Sequence, residues 1–178
     1  IVAHLQSMHC NAVGLCGADA KIIEAHKRVH PSIDYGFVGD IDKVNARQLE
    51  QFIHAGLTPI IAPITNDAAG QLLNTNADTI AQEIAKSMSG CYEVQLIYSF
   101  EKSGVLLDAG DDSTVIPSIN PTHYEKLKTE KKIFAGMIPK IDNAFGALNC
   151  GVKKVIIGNA EKLNDLINNS AGTTITNE

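Results

Sequence analysis

Three short stretches of this 178-residue chain carry side chains suited to chemistry on a charged small molecule. In Asn74-Thr75-Asn76-Ala77-Asp78, polar residues alternate just ahead of an apolar helical pattern. Extended backbone sends alternate side chains the same way, so Asn74 and Asn76 are expected on one side. Asn76 also suits a helix N-cap, and Asp78 falls in the first turn, where the helix dipole favours a carboxylate. Capping accounts for those two residues and leaves Asn74 over. In Ala135-Gly136-Met137-Ile138-Pro139-Lys140, the glycine permits close backbone approach and Pro139 suits a first helical turn. A lysine at a helix start opposes the dipole, so either another group holds Lys140 there or it is simply solvated. The third stretch, Ser99-Phe100-Glu101-Lys102-Ser103-Gly104-Val105-Leu106, is a glycine-containing loop after an apolar strand, a common place for nucleotides. The chain has neither a Walker A sequence nor G-x-G-x-x-G, which argues against a conventional P-loop or dinucleotide site.

The elements that must position these residues alternate along the chain. Apolar runs predict strands over 11–16, 21–26, 37–44, 58–63, 92–99, 154–157 and 172–175. Helical spacing predicts helices over 44–55, 77–88, 121–131, 138–148 and 161–167, with Gly56 closing the first as a C-cap would. Residues 1–8 read as a helix already under way, which predicts a chain truncated at its N-terminus. Strands alternating with helices imply an α/β fold, a three-layer sandwich around a mainly parallel central sheet, in one domain over residues 1–178. Ligands in such sheets lie at the carboxyl ends of strands. That directs attention to the loops after Cys16, Ile61, Ile97 and Ile157. The polar stretch 108–120 reads as an excursion from the alternation.

Composition removes several function classes. Fifteen Lys and Arg face twenty Asp and Glu, a formal net charge of −5, and no basic run compensates it. A phosphate-backbone-binding surface therefore fits poorly, so nucleic acid is not an expected partner. No apolar run approaches the roughly 20 residues that span a bilayer, so a membrane is not expected either. Cys10, Cys16, Cys91 and Cys150 form no CxxC pair and read as reduced thiols of a cytosolic protein. His26 and His30 stand four apart without a metalloprotease glutamate between them, so they read as surface histidines.

Taken in order, the motifs resemble the acetylglutamate kinases of the amino-acid-kinase family. Gly14-Leu-Cys-Gly-Ala-Asp19 is similar to that family's Gly-Leu-Ser-Gly-x-Asp, and Gly36-Phe-Val-Gly-Asp40 to its Gly-x-Val-Gly-Glu. Asn74 to Asp78 resembles its Asn-x-Asn-Ala-Asp, Gly136 to Lys140 its Gly-Met-x-x-Lys, and Gly172-Thr-Thr-Ile its terminal Gly-Thr-x-Ile strand. The resemblance implies phosphoryl transfer from ATP to the side-chain carboxylate of an N-acylglutamate, an early step of arginine biosynthesis in the cytoplasm. It implies that Asn74, with Asn76 beside it, binds the acylglutamate. Asp78 would orient catalytic lysines and Lys140 would stabilise the transferring phosphoryl group. Residues Glu101, Lys102, Ser103, Gly104, Val105 and Leu106, then Lys132, Ile133 and Phe134, with Gly136, would line the ATP site. Magnesium would ride on the phosphates with no protein metal site, and the family's usual state would make the protein a homodimer.

The sequence departs from the family in places. The N-terminal Lys-x-Gly-Gly phosphate loop, the second glycine-rich loop and the substrate-gripping arginine are absent. The chain thus resembles the nucleotide-side portion with part of the acylglutamate side, and alone it is expected to be nearly inactive. Glu101 stands where the family often has Asp, Phe100 where it often has Thr or Ser, and Cys16 where Ser is usual. Two other readings compete: another kinase of this fold acting on a nucleoside monophosphate, carbamate or aspartate, and a non-catalytic nucleotide- or amino-acid-binding module.

Overall fold

Capping and apolar spacing set the elements of the first compact unit, Ile1–Ser87, in the computed structural model, which describes residues 1–133 and 135–177. Its elements are α1 (Val2–Ser7), β1 (Ala12–Cys16), β2 (Ile23–Lys27), β3 (Gly39–Val44), α2 (Ala46–His54), β4 (Thr58–Ala62), β5 (Ile64–Asn66) and β6 (Leu72–Asn74). Helix α3 (Ala77–Met88) closes the unit. Asn45 starts α2 by accepting the Gln48 N–H on its side chain at 3.2 Å, and Leu49 turns inward. Strands β1 and β4 pair in parallel, from Ala12 opposite Thr58 to Cys16 opposite Ala62. A second sheet has the order β3-β2-β5-β6. In it β2 is antiparallel to β3 and parallel to β5, and β5 is antiparallel to β6. Ile22, Ile23, Leu73 and Thr65 are fully buried between these strands and their neighbours.

The second unit begins at Met88. It contains β7 (Gln95–Phe100), β8 (Ser118–Ile119), α4 (Pro121–Thr129), α5 (Ile138–Asn149), β9 (Lys154–Asn159), α6 (Leu163–Ile167) and β10 (Thr173–Ile175). One sheet runs in the order β7-β9-β10-β8. Strands β7 and β9 are parallel over their whole length, from Gln95 opposite Lys154 to Phe100 opposite Asn159. Strand β10 is antiparallel to β9 and parallel to β8. Val155, Ile156 and Ile157 have no exposed surface, as an uninterrupted apolar run demands of a strand covered on both faces. Ile141, Ala144 and Ala147 form the buried stripe of α5, which packs on β9 and β10, while Leu166 of α6 is buried beside β9.

The α/β class expected from the sequence holds, with parallel pairings β1/β4 and β2/β5 in one unit and β7/β9 and β8/β10 in the other. Three differences are present, the first two with simple causes. Strands β5, β6 and β8 are two or three residues long, too short for a period-2 pattern to show. The β5–β6 link is far shorter than the roughly dozen residues a parallel crossover needs, so that pair turns back antiparallel. The strands also gather into three sheets rather than one. Among the described residues no helix is long and apolar enough to cross a membrane.

Candidate functional site

The carboxyl ends of β7 and β9 lie side by side, Phe100 opposite Asn159. A cleft of about 310 Å³ opens there. Of the residues expected from the sequence, Glu101, Lys102, Gly104, Leu106, Gly136 and Lys140 line it. Phe100, Ala109 and Met137 line it too, although the sequence reading did not select them. Lys140 stands in the first turn of α5, half-buried, with Nζ 4.8 Å from the Tyr98 ring centroid and 5.7 Å from that of Phe100. Tyr98 and Phe100 are two residues apart on β7, so both rings present to the same face. A ring face attracts an ammonium by about 0.5–2 kcal/mol, enough to offset an unfavourable place on the helix dipole. Tyr124 of α4 steadies the same helix start: its hydroxyl donates to Asp142 Oδ1 at 2.7 Å and to the Ile138 carbonyl at 3.3 Å. Burial, then the bond to Asp142, raises the Tyr124 phenol well above its ordinary pKa, so it stays protonated as the donor.

The loop after β7 is stitched down rather than loose. The Val105 N–H donates to Thr173 Oγ1 at 2.8 Å, the Ile116 N–H donates to the Val105 carbonyl at 2.9 Å, and Leu106 bridges Val115. Gly104 lies so close to β10 that a Cβ would sit 2.7 Å from Thr173 Oγ1 and 3.2 Å from its backbone nitrogen. Gly104→Ala should therefore destabilise by roughly 1–3 kcal/mol, as overpacking does, because backbone cannot swing aside; urea unfolding measures it. Ser103 donates to Asp112 Oδ2 at 3.2 Å. Val105 is buried in the core and Ile133 nearly so, and neither lines the cleft. Lys132 is exposed and pairs with Glu130 at 2.8 Å, holding that carboxyl below the usual range. Phe134, expected at the nucleotide site, lies outside the described residues.

Asn159 is a further contributor that the sequence reading overlooked. Its Nδ2 donates to the Glu101 carbonyl at 3.0 Å while its Oδ1 accepts the Glu161 N–H at 2.8 Å. One side chain thus ties the end of β7 to the turn after β9. Its signal was an asparagine straight after a fully apolar strand and two residues ahead of a glutamate at a helical turn.

Asn74, Asn76 and Asp78 belong to the first unit. Asn74 and Asn76 are exposed and Thr75 between them is buried, which is the alternation the sequence predicts. Thr75 anchors the segment: its N–H donates to the Pro63 carbonyl at 3.1 Å and its hydroxyl shares a 2.8 Å hydrogen bond with that of Thr65. Asn74 donates its N–H to the Phe37 carbonyl at 2.7 Å, leaving the side chain outside the backbone ladder. Asn76 Oδ1 caps α3 by accepting the Thr79 N–H at 3.0 Å, so any ligand contact falls to its Nδ2. Asp78 is half-buried in the first turn of α3. Gly39 packs directly beneath: a Cβ there would meet Thr75 Oγ1 at 2.7 Å and Leu73 Cβ at 2.8 Å. Two motifs far apart in sequence are therefore one packed unit.

The acidic residues of the first two motifs are structural. Asp19 Oδ2 accepts the Cys16 N–H at 2.7 Å, which lowers its pKa. Arg28 grips Asp40 through Nε and Nη2 and likewise holds its carboxyl low. His26 and His30 are exposed, with His26 Nδ1 2.7 Å from Asp42 Oδ1. None of the four cysteines forms a disulfide. Among the described residues no group of three or more His, Cys, Asp or Glu is placed to hold a metal.

Residues 1–159 match the Amino acid kinase family. The chain belongs to that family. It is 53% identical over 169 residues to the acetylglutamate kinase of Cytophaga hutchinsonii, covering 94% of this chain and 64% of that one. It is 49% identical over 165 residues to the acetylglutamate kinase of Bacteroides thetaiotaomicron, covering 93% and 64%. The amino acid kinase chain described here thus spans about 64% of the length of these curated relatives. Among solved structures, the smu.665 protein of Streptococcus mutans is 28% identical with a TM-score of 0.79, over 99% of this chain and 65% of that one. Carbamate kinase of Giardia lamblia, 14% identical with a TM-score of 0.68 over 99% and 66%, shares the fold.

Proposed function

We propose that the protein is an acetylglutamate kinase, transferring the terminal phosphoryl group of ATP to the side-chain carboxylate of N-acetyl-L-glutamate or another N-acylglutamate. The observation that carries this reading is Lys140, half-buried at a helix start in a cleft at the carboxyl ends of β7 and β9. The identity to acetylglutamate kinases at about half of aligned positions supports an acylglutamate as the acceptor.

The chemistry asks little of proton transfer. A carboxylate acceptor is already ionised at neutral pH, so no general base is needed. What the reaction needs is proximity of two anions and neutralisation of the charge between them. In this reading Lys140 stabilises the transferring phosphoryl oxygens, Asp78 orients cationic groups, and Asn74 presents both donor and acceptor to the acylglutamate. Glu101, Lys102, Gly104, Leu106 and Gly136 border the nucleotide. Magnesium on the nucleotide supplies charge neutralisation when bound; with no three-residue acid or histidine cage among the described residues, phosphate oxygens and water would hold it. The site belongs to a single amino-acid-kinase domain, acting in arginine biosynthesis in the cytoplasm as a homodimer; light scattering across a wide concentration range checks that state.

The test is direct. The complete protein with ATP, magnesium and N-acetylglutamate, in the presence of hydroxylamine, should release ADP and an acyl hydroxamate in equal amounts. ADP without hydroxamate would place the acceptor elsewhere, and tight binding of both ligands with no turnover would make it a binding module. Parallel assays with N-acetyl- and N-succinylglutamate define the acyl group.

A further inference from the structure

The loop that leaves β7 borders the cleft between two fixed points, and one of them is a side chain from a neighbouring strand. Asn159, half-buried at the end of β9, donates its Nδ2 to the Glu101 carbonyl at 3.0 Å. Its Oδ1 is engaged by the Glu161 N–H at 2.8 Å, which fixes the amide plane and aims the donor. At the other end the Val105 N–H donates to the fully buried Thr173 through Oγ1 at 2.8 Å. Between these points Ser103 donates to Asp112 Oδ2 at 3.2 Å. Lys102 follows the tethered carbonyl across one planar peptide, so holding that carbonyl also holds the Lys102 nitrogen. Lys102 is half-buried and lines the cleft, and its ammonium forms no hydrogen bond or ion pair among the described residues. Of the residues lining the cleft, only Lys102 and Lys140 are cationic.

We propose that Asn159 is a positioning residue for the nucleotide: by holding the Glu101 carbonyl it keeps Lys102 in the cleft, where the ammonium binds the two phosphates that ATP shares with ADP. This inference rests on the reading of the cleft as the nucleotide site. With Lys140 assigned to the transferring phosphoryl group, the rest of the polyphosphate needs a cation of its own beside magnesium. A lysine on a loose loop would lose backbone and side-chain freedom together on binding. With its preceding carbonyl tethered, only the side chain has to order. Asparagine suits the task because one planar amide accepts from the turn after β9 while donating to the end of β7. A shorter hydroxyl would keep the turn and lose the reach to Glu101.

The experiment is a double-mutant cycle read by nucleotide binding, without turnover. Kd for ATP, ADP and adenosine is measured on the complete protein by displacement of a fluorescent nucleotide in the presence of magnesium. Lys102→Met, which keeps the apolar stem and loses the charge, should raise Kd for ATP and ADP by roughly 5- to 30-fold and leave adenosine unchanged. Lys102→Arg should keep most of the affinity. Asn159→Ser, which keeps an oxygen for the Glu161 N–H, should raise Kd for ATP and ADP by roughly 3- to 10-fold, again sparing adenosine. In the Lys102→Met background Asn159→Ser should add nothing, because the side chain it positions is gone. An unchanged Kd for ATP in Asn159→Ser overturns the proposal, as do losses that simply add. Equal weakening of adenosine also overturns it, since that marks a distorted cleft rather than a displaced cation. Should Asn159→Ser fail to fold, Asn159→Thr, which also keeps a capping oxygen, decides in the same way. Failure of the underlying reading shows separately, as an unaltered protein that binds neither ATP nor ADP.

Discussion

Replacing Lys140 with alanine should lower kcat of the complete protein by roughly 10²–10³, the scale set by loss of one preorganised electrostatic donor. KM for the acylglutamate should change little, because the lost interaction is made mainly with charge that develops in the transition state. The structure sharpens this expectation. Lys140 is half-buried over two rings in the cleft, so its charge acts where water screens it less than on an open helix. Lys140→Arg keeps the charge but replaces a compact ammonium with a wide planar fork, and should recover only part of the rate. Steady-state kinetics measures both. A near-normal kcat in the alanine variant would return Lys140 to the status of a solvated surface lysine.

The second large effect is expected at Asn74. Its amide can both donate and accept, which suits a ligand presenting a carboxylate and an acyl-amide. Removing it strands those ligand groups at a cost of about 1–3 kcal/mol, or roughly 5- to 150-fold in KM for the acylglutamate. KM for ATP should stay nearly constant. The segment around it will not collapse, since the Asn74 N–H bond to Phe37 and the buried Thr75 anchor involve no Asn74 side-chain atom. Weakened ATP binding with every acylglutamate unaffected would assign the segment to the nucleotide side and sink the site assignment.

Much of the candidate site was legible because single elements announce themselves. Helix α3 runs over the predicted Ala77–Met88, since Asn76 caps it and Ile80, Ile84 and Met88 repeat on one face. The glycine motifs were legible as motifs, though the reason for one of them was not. Gly39 is required because Thr75, 36 residues away, packs its hydroxyl against that backbone. Asn159 and Phe100 were missed for a similar reason: each acts on a partner supplied by a different element, Glu101 in one case and Lys140 in the other.

By itself the sequence determined the α/β class, the helix limits, the order of five motifs and the chemical types gathered in them. Those properties are local: periodicity and caps depend on residues within a turn or two of each other. Only the tertiary structure decided which strands pair and in which direction, since β5, β6 and β8 are too short to carry a pattern and their partners are chosen by loop length and packing. It also decided which side chains lie beside Lys140. The sequence could say that a lysine opposing its helix dipole needs a counterpart. That two rings on β7 lie within reach of its ammonium follows from the fold of one unit, and no spacing along the chain encodes it.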